Sequence, residues 1–143
     1  MSSAHIPVAL RRLIYERANG GCEYCLTPEA VGLAAHEVDH IIAEKHGGPT
    51  QEDNLALSCT LCNKRKGSDL SSLDPATGDV VPLYNPRRNR WAEHFQLNGA
   101  EFVPLTATGR TTIQFLQLNT PERIVERELL LAAGLLRPDN SPE

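Results

Sequence analysis

The stretch that decides the fold is residues 38–67, VDHIIAEKHGGPTQEDNLALSCTLCNKRKG. A carboxylate stands beside a histidine at Asp39 and His40, Asn54 follows His40 by 14 residues, and Asn63 follows Asn54 by 9 residues. Hydrolysis of a phosphodiester needs a deprotonated water, a cation for the developing charge and support for the leaving oxygen. These four side chains together suggest a metal-assisted site of that kind.

Two Cys-x-x-Cys units accompany this stretch, one before it and one inside it, with 33 residues between them. The four cysteines are Cys22, Cys25, Cys59 and Cys62. Paired units of this kind favour one tetrahedral structural zinc ion held by four thiolates. The alternative is a redox-active dithiol, which needs a βαβ context that the pattern of this chain does not indicate.

The composition is that of an ordinary globular protein. Of 143 residues, 41% are hydrophobic and 22% are charged, which argues against a disordered chain. The net charge of −4 argues against a protein that coats DNA by bulk attraction, so local charge distribution matters more. No apolar run approaches the roughly 18–20 residues of a membrane span, and we expect a cytoplasmic protein with no membrane partner.

Hydrophobic spacing predicts a helix, a strand, a loop, a strand and a second helix along the first half of the chain. The first helix follows Pro7 and ends before Gly20-Gly21. The strands are predicted at 35–42 and 54–57, with a long loop at 43–53 between them. The second helix is predicted at 60–66, with Gly67 after its end.

The run from Cys22 to Gly67 resembles the HNH endonuclease family, which cuts nucleic acid with a small ββα-metal site. The resemblance implies an α+β fold: a ββα-metal core with two zinc knuckles, an N-terminal helix and a C-terminal α/β extension. We expect residues 1–70 to form the nuclease core and residues 71–143 to form an accessory extension packed on it. It also implies a nucleic-acid partner, double-stranded DNA, and products with 5′-phosphate and 3′-hydroxyl ends.

Each residue of the expected site has a role that its chemistry suits. His40 is the expected general base, because a neutral imidazole near pH 7 can take a proton from water. Asp39 and Asn63 are expected to hold a catalytic Mg²⁺ or Mn²⁺ ion through oxygen atoms. Asn63 stands where relatives often carry histidine, so the motif is an HNN variant. The resemblance implies that Asn54 ties the loop to the strand; the alternative is a local turn at the strand edge.

The alternation of side chains along a strand raises a geometric question, because Asp39 and His40 are neighbours. They can share a site only if the strand twists or ends there. His36 and Glu37 are either auxiliary ligands of the same site or ordinary exposed strand residues.

Two basic clusters are candidates for contacts with phosphates. The first cluster is Lys64, Arg65 and Lys66, and Lys66 lies one helical turn after Asn63, on the same face of the predicted helix. Arg87, Arg88 and Arg90 form the second cluster, which would give affinity without sequence choice. The alternative for both clusters is a solvated surface.

Beyond Gly67, apart from the arginine cluster, the sequence predicts secondary structure but assigns no chemistry. Val80 to Tyr84 is a predicted strand, Asn85-Pro86 opens a predicted short helix through His94, and Asn98-Gly99 predicts a hairpin turn. Two further helices are predicted at 108–118 and 121–133.

Three functions compete for this sequence: a metal-dependent endonuclease, a zinc module that binds nucleic acid without cutting it, and a cysteine redox protein. The binding module needs the four cysteines, but it has no need for Asp39, His40, Asn54 and Asn63 together. A redox protein would need neither the histidine nor the asparagines.

Overall fold

The structure is a computed structural model that describes residues 5–32 and 34–136. Its described part mixes helices with three small antiparallel sheets. The mixed α+β class expected from the sequence is therefore confirmed. No helix among the described residues is long and apolar enough to span a membrane.

Helix α1 (Val8–Arg17) begins after Pro7, as the sequence predicts, because proline has no N–H to leave unpaired at a helix start. Its buried face is narrower than the periodicity indicates, since Ile14 is fully buried while Val8 is exposed. The buried stripe packs on only a few strand side chains, Leu55 and Leu57 among them. Because this contact is narrow, one buried turn of α1 is enough to make it, and a broad apolar face is not required.

Strands β1 (Glu37–His40) and β2 (Leu55–Ser58) form an antiparallel pair in which His40 lies opposite Leu55. β1 is shorter than the predicted strand: it ends at His40, whereas the sequence pattern predicts a strand that continues through Ile42. The backbone of Ile42 leaves the ladder and instead bonds to the side chain of Asn54. In the described structure β1 pairs only with β2, so its other edge carries no strand.

The loop at 43–53 returns so closely that only glycine fits at position 48. A Cβ atom on Gly48 would lie 1.7 Å from the carbonyl oxygen of Ile42. The loop contains two short 3₁₀ turns, Glu44–His46 and Glu52–Asn54. It is therefore a folded connection that brings residues 49 and 50 back beside the end of β1.

Helix α2 (Thr60–Lys66) has the predicted bounds, with Gly67 at its C-terminal cap. The Sγ atom of Cys59 accepts a hydrogen bond from the N–H of Cys62 and so caps the helix start. The same atom is a candidate metal ligand. The helix start and the second knuckle are thus one structure.

The described part of the extension contains two hairpins and three helices. The first hairpin pairs β3 (Ser71–Leu73), which the sequence does not predict, with β4 (Val80–Pro82). Helix α3 (Trp91–His94) follows. The predicted hairpin on Asn98-Gly99 is confirmed, with β5 (Phe95–Asn98) paired to β6 (Glu101–Pro104).

The predicted helix from Arg87 through His94 is wrong in its first half. The side chain of Asn85 accepts hydrogen bonds from the N–H groups of Arg87 and Arg88 and holds a turn there. Asparagine side chains often compete with the backbone in this way. Only α3, beginning at Trp91, is helical in this segment.

Helices α4 (Ala107–Phe115) and α5 (Pro121–Ala132) follow; α5 lies where the periodicity predicts it, whereas α4 ends three residues before the predicted end at 118. Thr106 and Thr120 cap them through side-chain oxygens, as expected for helix starts. The main hydrophobic core joins Tyr24 and the cysteines to Trp91 and Phe102. The knuckles therefore share one core with the extension.

Candidate metal centre and active site

The two Cys-x-x-Cys units converge on one point. Their four sulfur atoms lie within 4.8 Å of one another, and the sulfurs of Cys25 and Cys59 are 3.6 Å apart. Four sulfurs at about 2.3 Å from a tetrahedral zinc ion would lie about 3.8 Å from each other. The cluster could therefore hold zinc with little rearrangement.

The surroundings of the cluster also fit a metal. Each unit folds as a turn in which a cysteine N–H faces the first sulfur at 3.4 Å, from Cys25 to Cys22 and from Cys62 to Cys59. Burial and the neighbouring cysteines raise the pKa of the Cys22 thiol well above its usual value. Three of the cysteines are buried and Cys59 is partly exposed, so four thiolates at this place would need a compensating cation.

The residues between the first two cysteines anchor the knuckle to the sheet. Glu23 is fully buried and accepts a hydrogen bond from the N–H of Leu57 at 2.8 Å. It also pairs with Arg87. Its neighbour Tyr24 donates its hydroxyl to Oδ2 of Asp39 at 3.2 Å. The metal centre is thus linked directly to the expected catalytic strand.

A pocket of about 650 Å³ opens at the unpaired edge of β1, and Asp39, His40 and Asn63 all line it. Val38 lines it from the same strand face as His40, and Glu37 lines it from the face of Asp39. Residues from both faces of the strand therefore line one pocket. β1 ends at His40, which is one of the two conditions under which the neighbours Asp39 and His40 were expected to share a site.

His40 is buried and is held from two sides. Its Nε2 lies 2.9 Å from the hydroxyl of Thr50, and its backbone carbonyl accepts from Nζ of Lys66 at 3.2 Å. Its buried Nδ1 has no hydrogen-bond partner among the described residues. The sequence does not indicate Thr50, because a loop of 43–53 can return in many ways.

The carboxylate of Asp39 is nearly buried and meets a cation from the protein itself. Nζ of Lys66 lies 3.2 Å from its Oδ2, the same oxygen that Tyr24 contacts. Burial raises the pKa of Asp39, while the charge of Lys66 opposes this rise. Both contacts use Oδ2, so neither of them occupies Oδ1.

Asn54 fastens the loop to the end of β1. Its Oδ1 accepts from the N–H of Ile42 at 2.9 Å, and its Nδ2 donates at 2.9 Å to the carbonyls of Ile42 and Pro49. Thr50, the next residue after Pro49, contacts His40. The amide of Asn54 therefore supports the imidazole through the loop.

The expected phosphate contacts fall into two groups. Lys66 is buried against Asp39 and Arg87 is paired with the buried Glu23, so both cations are directed into the protein. Arg88 and Arg90 are exposed. Burial lowers the pKa of Arg87 to about 10, as expected for a guanidinium removed from water.

Other polar side chains line the pocket. His36 and Glu37 are both there, and Nε2 of His36 lies 2.8 Å from the carbonyl of Thr27. Arg11 and Lys64 are exposed cations on its rim; Lys64 belongs to the first basic cluster, whereas the sequence pattern does not single out Arg11 for this role.

Two arginines of α5 approach the cysteine cluster, which the sequence pattern does not indicate. Nη2 of Arg123 lies 3.3 Å from the sulfur of Cys62. Burial by itself lowers the pKa of Arg123, but the cysteines, Cys62 and Cys25 foremost, raise it above its ordinary value. Arg127 is one helical turn further along and is also buried.

Comparison with known protein families shows that the family model "HNH endonuclease" matches residues 22–69. The matched segment contains all four cysteines, and it also contains Asp39, His40 and Asn63, which line the β1 pocket. No curated protein matches the chain. The match indicates a nuclease or nucleic-acid-binding role. Residues 22–69 thus match the HNH endonuclease family, which confirms the resemblance seen in the sequence.

Proposed function

We propose that this chain is a metal-dependent endonuclease that hydrolyses phosphodiester bonds of double-stranded DNA. The observation that carries the proposal is the convergence of Asp39, His40 and Asn63 on one pocket. Residues of these types supply a base and hard oxygen ligands, which phosphodiester hydrolysis requires. The ββα-metal assignment of β1, β2 and α2 is part of the proposal.

His40 takes the proton from the attacking water at Nδ1. In the tautomer that this role requires, Nε2–H donates to the hydroxyl of Thr50, 2.9 Å away, and the buried, unpartnered Nδ1 keeps its lone pair. An imidazole with one nitrogen held and the other unpartnered is suited to general-base catalysis near neutral pH. Lys66 bonds to the backbone carbonyl of His40, and Asn54 bonds to the backbone of Ile42, so both contacts hold the end of β1 in place.

Asp39 and Asn63 would hold a Mg²⁺ or Mn²⁺ ion. The donor set fits such an ion, because both residues line the pocket and neither Lys66 nor Tyr24 occupies Oδ1 of Asp39. When bound, the cation stabilises the charge that develops on the phosphate. The four cysteines would hold a separate, structural zinc ion.

The DNA backbone contacts the pocket rim. Arg11 and Lys64 are exposed cations there, and we assign them to phosphates next to the scissile bond. Arg88 and Arg90 are assigned to more distant phosphates, since both are exposed. Lys66 instead acts inside the protein, on Asp39 and His40.

Plasmid nicking with added Mg²⁺ or Mn²⁺ tests the proposal. The variant His40→Ala should retain zinc, folding and DNA affinity but lose about 10²–10⁴-fold in cleavage rate, the usual effect of removing a general base. His46→Ala is the matched control, because His46 is an exposed loop histidine. Equal cleavage by parent and His40→Ala would overturn the catalytic assignment.

The ion pair between Lys66 and Asp39 favours one second candidate, a zinc module that binds DNA without cutting it. In that module the pair would be structural only, and Asp39 would need no metal. DNA binding by the parent without cleavage in any divalent metal would select this candidate. Binding followed by metal-dependent nicking would exclude it.

A further inference from the structure

A cation from the C-terminal half of the chain faces the sulfur cluster. Nη2 of Arg123, in α5, lies 3.3 Å from Sγ of Cys62 and 4.0 Å from Sγ of Cys59. The side chain is 9% exposed, so water screens these contacts little. This arrangement joins the extension to the centre of the HNH segment.

The other side of the same guanidinium is fixed by the end of α4. Nη1 of Arg123 donates to the carbonyls of Leu116 at 3.1 Å and Gln117 at 3.4 Å. A planar guanidinium with both ends bonded has a defined direction. Nη2 is therefore aimed at the sulfurs by the fold, rather than reaching them by chance.

Charge balance shows why a cation belongs there. Four thiolates and one divalent ion carry a net charge of −2. Arg123 and Arg127 lie one turn apart on α5, are both buried, and add two positive charges. Within the described residues, neither forms an ion pair with a carboxylate. Arg127 bonds to the carbonyls of Ala100 and Leu118, so Arg123 is the one of the two that touches sulfur.

We propose that Arg123 is an outer-sphere partner of the four-cysteine metal centre. Its guanidinium donates to the sulfurs of Cys62 and Cys59, offsets their negative charge and slows the loss of zinc. Helix α5 thereby becomes part of the metal centre, and the extension stabilises the HNH segment through it. The inference concerns the cysteine centre and does not depend on nuclease activity.

Zinc transfer to an excess of a chromophoric chelator tests the proposal on the full chain. Partners of metal ligands typically contribute 10–100-fold to metal affinity. Arg123→Met should therefore weaken zinc binding by about 10–100-fold and release the metal faster than the parent does. Arg65→Met is the matched control, because it removes an exposed arginine from the helix that carries Cys62.

The spectrum of the cobalt-substituted protein gives a second readout, which a purely structural role would not change. Hydrogen bonds to a thiolate lower the energy of its lone pairs. Their loss in Arg123→Met should therefore move the sulfur-to-cobalt charge-transfer band to lower energy. Arg65→Met should leave the band in place.

If Arg123→Met does not fold, the same two measurements are made on Arg123→Lys. Lysine keeps the charge but lacks the fork that joins sulfur to the Leu116 carbonyl. We expect a smaller band shift and an intermediate rate of zinc release. Wild-type release rates and an unshifted band in a folded Arg123 variant would overturn the proposal, as would a zinc-free parent.

Discussion

Nζ of Lys66 lies 3.2 Å from Oδ2 of Asp39, and the two side chains are only 4% and 7% exposed. Asp39 lines the pocket where a catalytic cation is proposed, and Lys66 is bonded to that carboxylate. Lys66 therefore holds the carboxylate in position and sets part of the local charge. Any metal that binds Asp39 shares that carboxylate with an ammonium group.

Removing this ammonium should cost stability. Lys66→Met leaves Asp39 as a buried, uncompensated charge, which typically costs about 3–5 kcal/mol. Urea unfolding of the zinc-loaded protein measures the loss. Lys64→Met is the control, because Lys64 is exposed on the same helix and a surface change usually stays within about 0.5 kcal/mol. A fully stable Lys66→Met with a flatter salt dependence of DNA binding would instead make Lys66 a phosphate contact.

The cysteine cluster should hold one zinc ion per chain. Because structural zinc sites contribute folding energy directly, strong chelation should lower the thermal midpoint, and Cys59→Ser should lower it as well. Elemental analysis of protein purified under reducing conditions measures the stoichiometry. Thr60→Ser, a change at an exposed neighbour of Cys59, should retain the metal. Protein that contains no zinc would contradict the prediction.

The arginines at 87, 88 and 90 should behave differently from one another. Each phosphate contact contributes roughly 0.9 to the slope of log affinity against log salt. Replacing Arg88 and Arg90 by alanine should therefore flatten the slope by up to about 1.8. Arg87→Ala should mainly destabilise the fold, since it leaves Glu23 buried and unpaired. DNA titrations at several salt concentrations, together with unfolding curves, separate the two effects.

The turn before β4 should lose stability in acid. Hydrogen bonds from Arg110, and then the N–H of Ala76, hold the pKa of Asp74 well below its ordinary value. Stabilisation by a carboxylate with a lowered pKa is present above the unfolded value of about 3.9 and is lost as the pH falls below it. Asp74→Asn should therefore lose less stability than the parent between about pH 4 and pH 2.

Unfolding midpoints of both proteins across that range check the sign. Asp79→Asn is the matched control, because it removes an exposed carboxylate from the same turn and should follow the parent's curve. Parallel curves for the parent and Asp74→Asn would show that the ion pair with Arg110 does not contribute to stability.

Local sequence determined much of the segment that matches the HNH family. The bounds of α2 and the turn at each Cys-x-x-Cys unit follow from contacts between residues three or four apart, such as Cys62 with Cys59. The pairing of β1 with β2 follows from two short apolar runs around a glycine-containing loop. Such features can be predicted from a sequence, because hydrophobic periodicity and helix capping depend on residues that are close together in the chain.

Only the tertiary structure decided which polar side chains meet. Arg123 reaches Cys62 across 61 residues, and Tyr24 reaches Asp39 across 15. The burial of Lys66, which the sequence placed toward phosphate, depends on α2 packing against β1. Such contacts form when separate helices and strands pack on one core. Local periodicity does not indicate which long side chains this packing brings together.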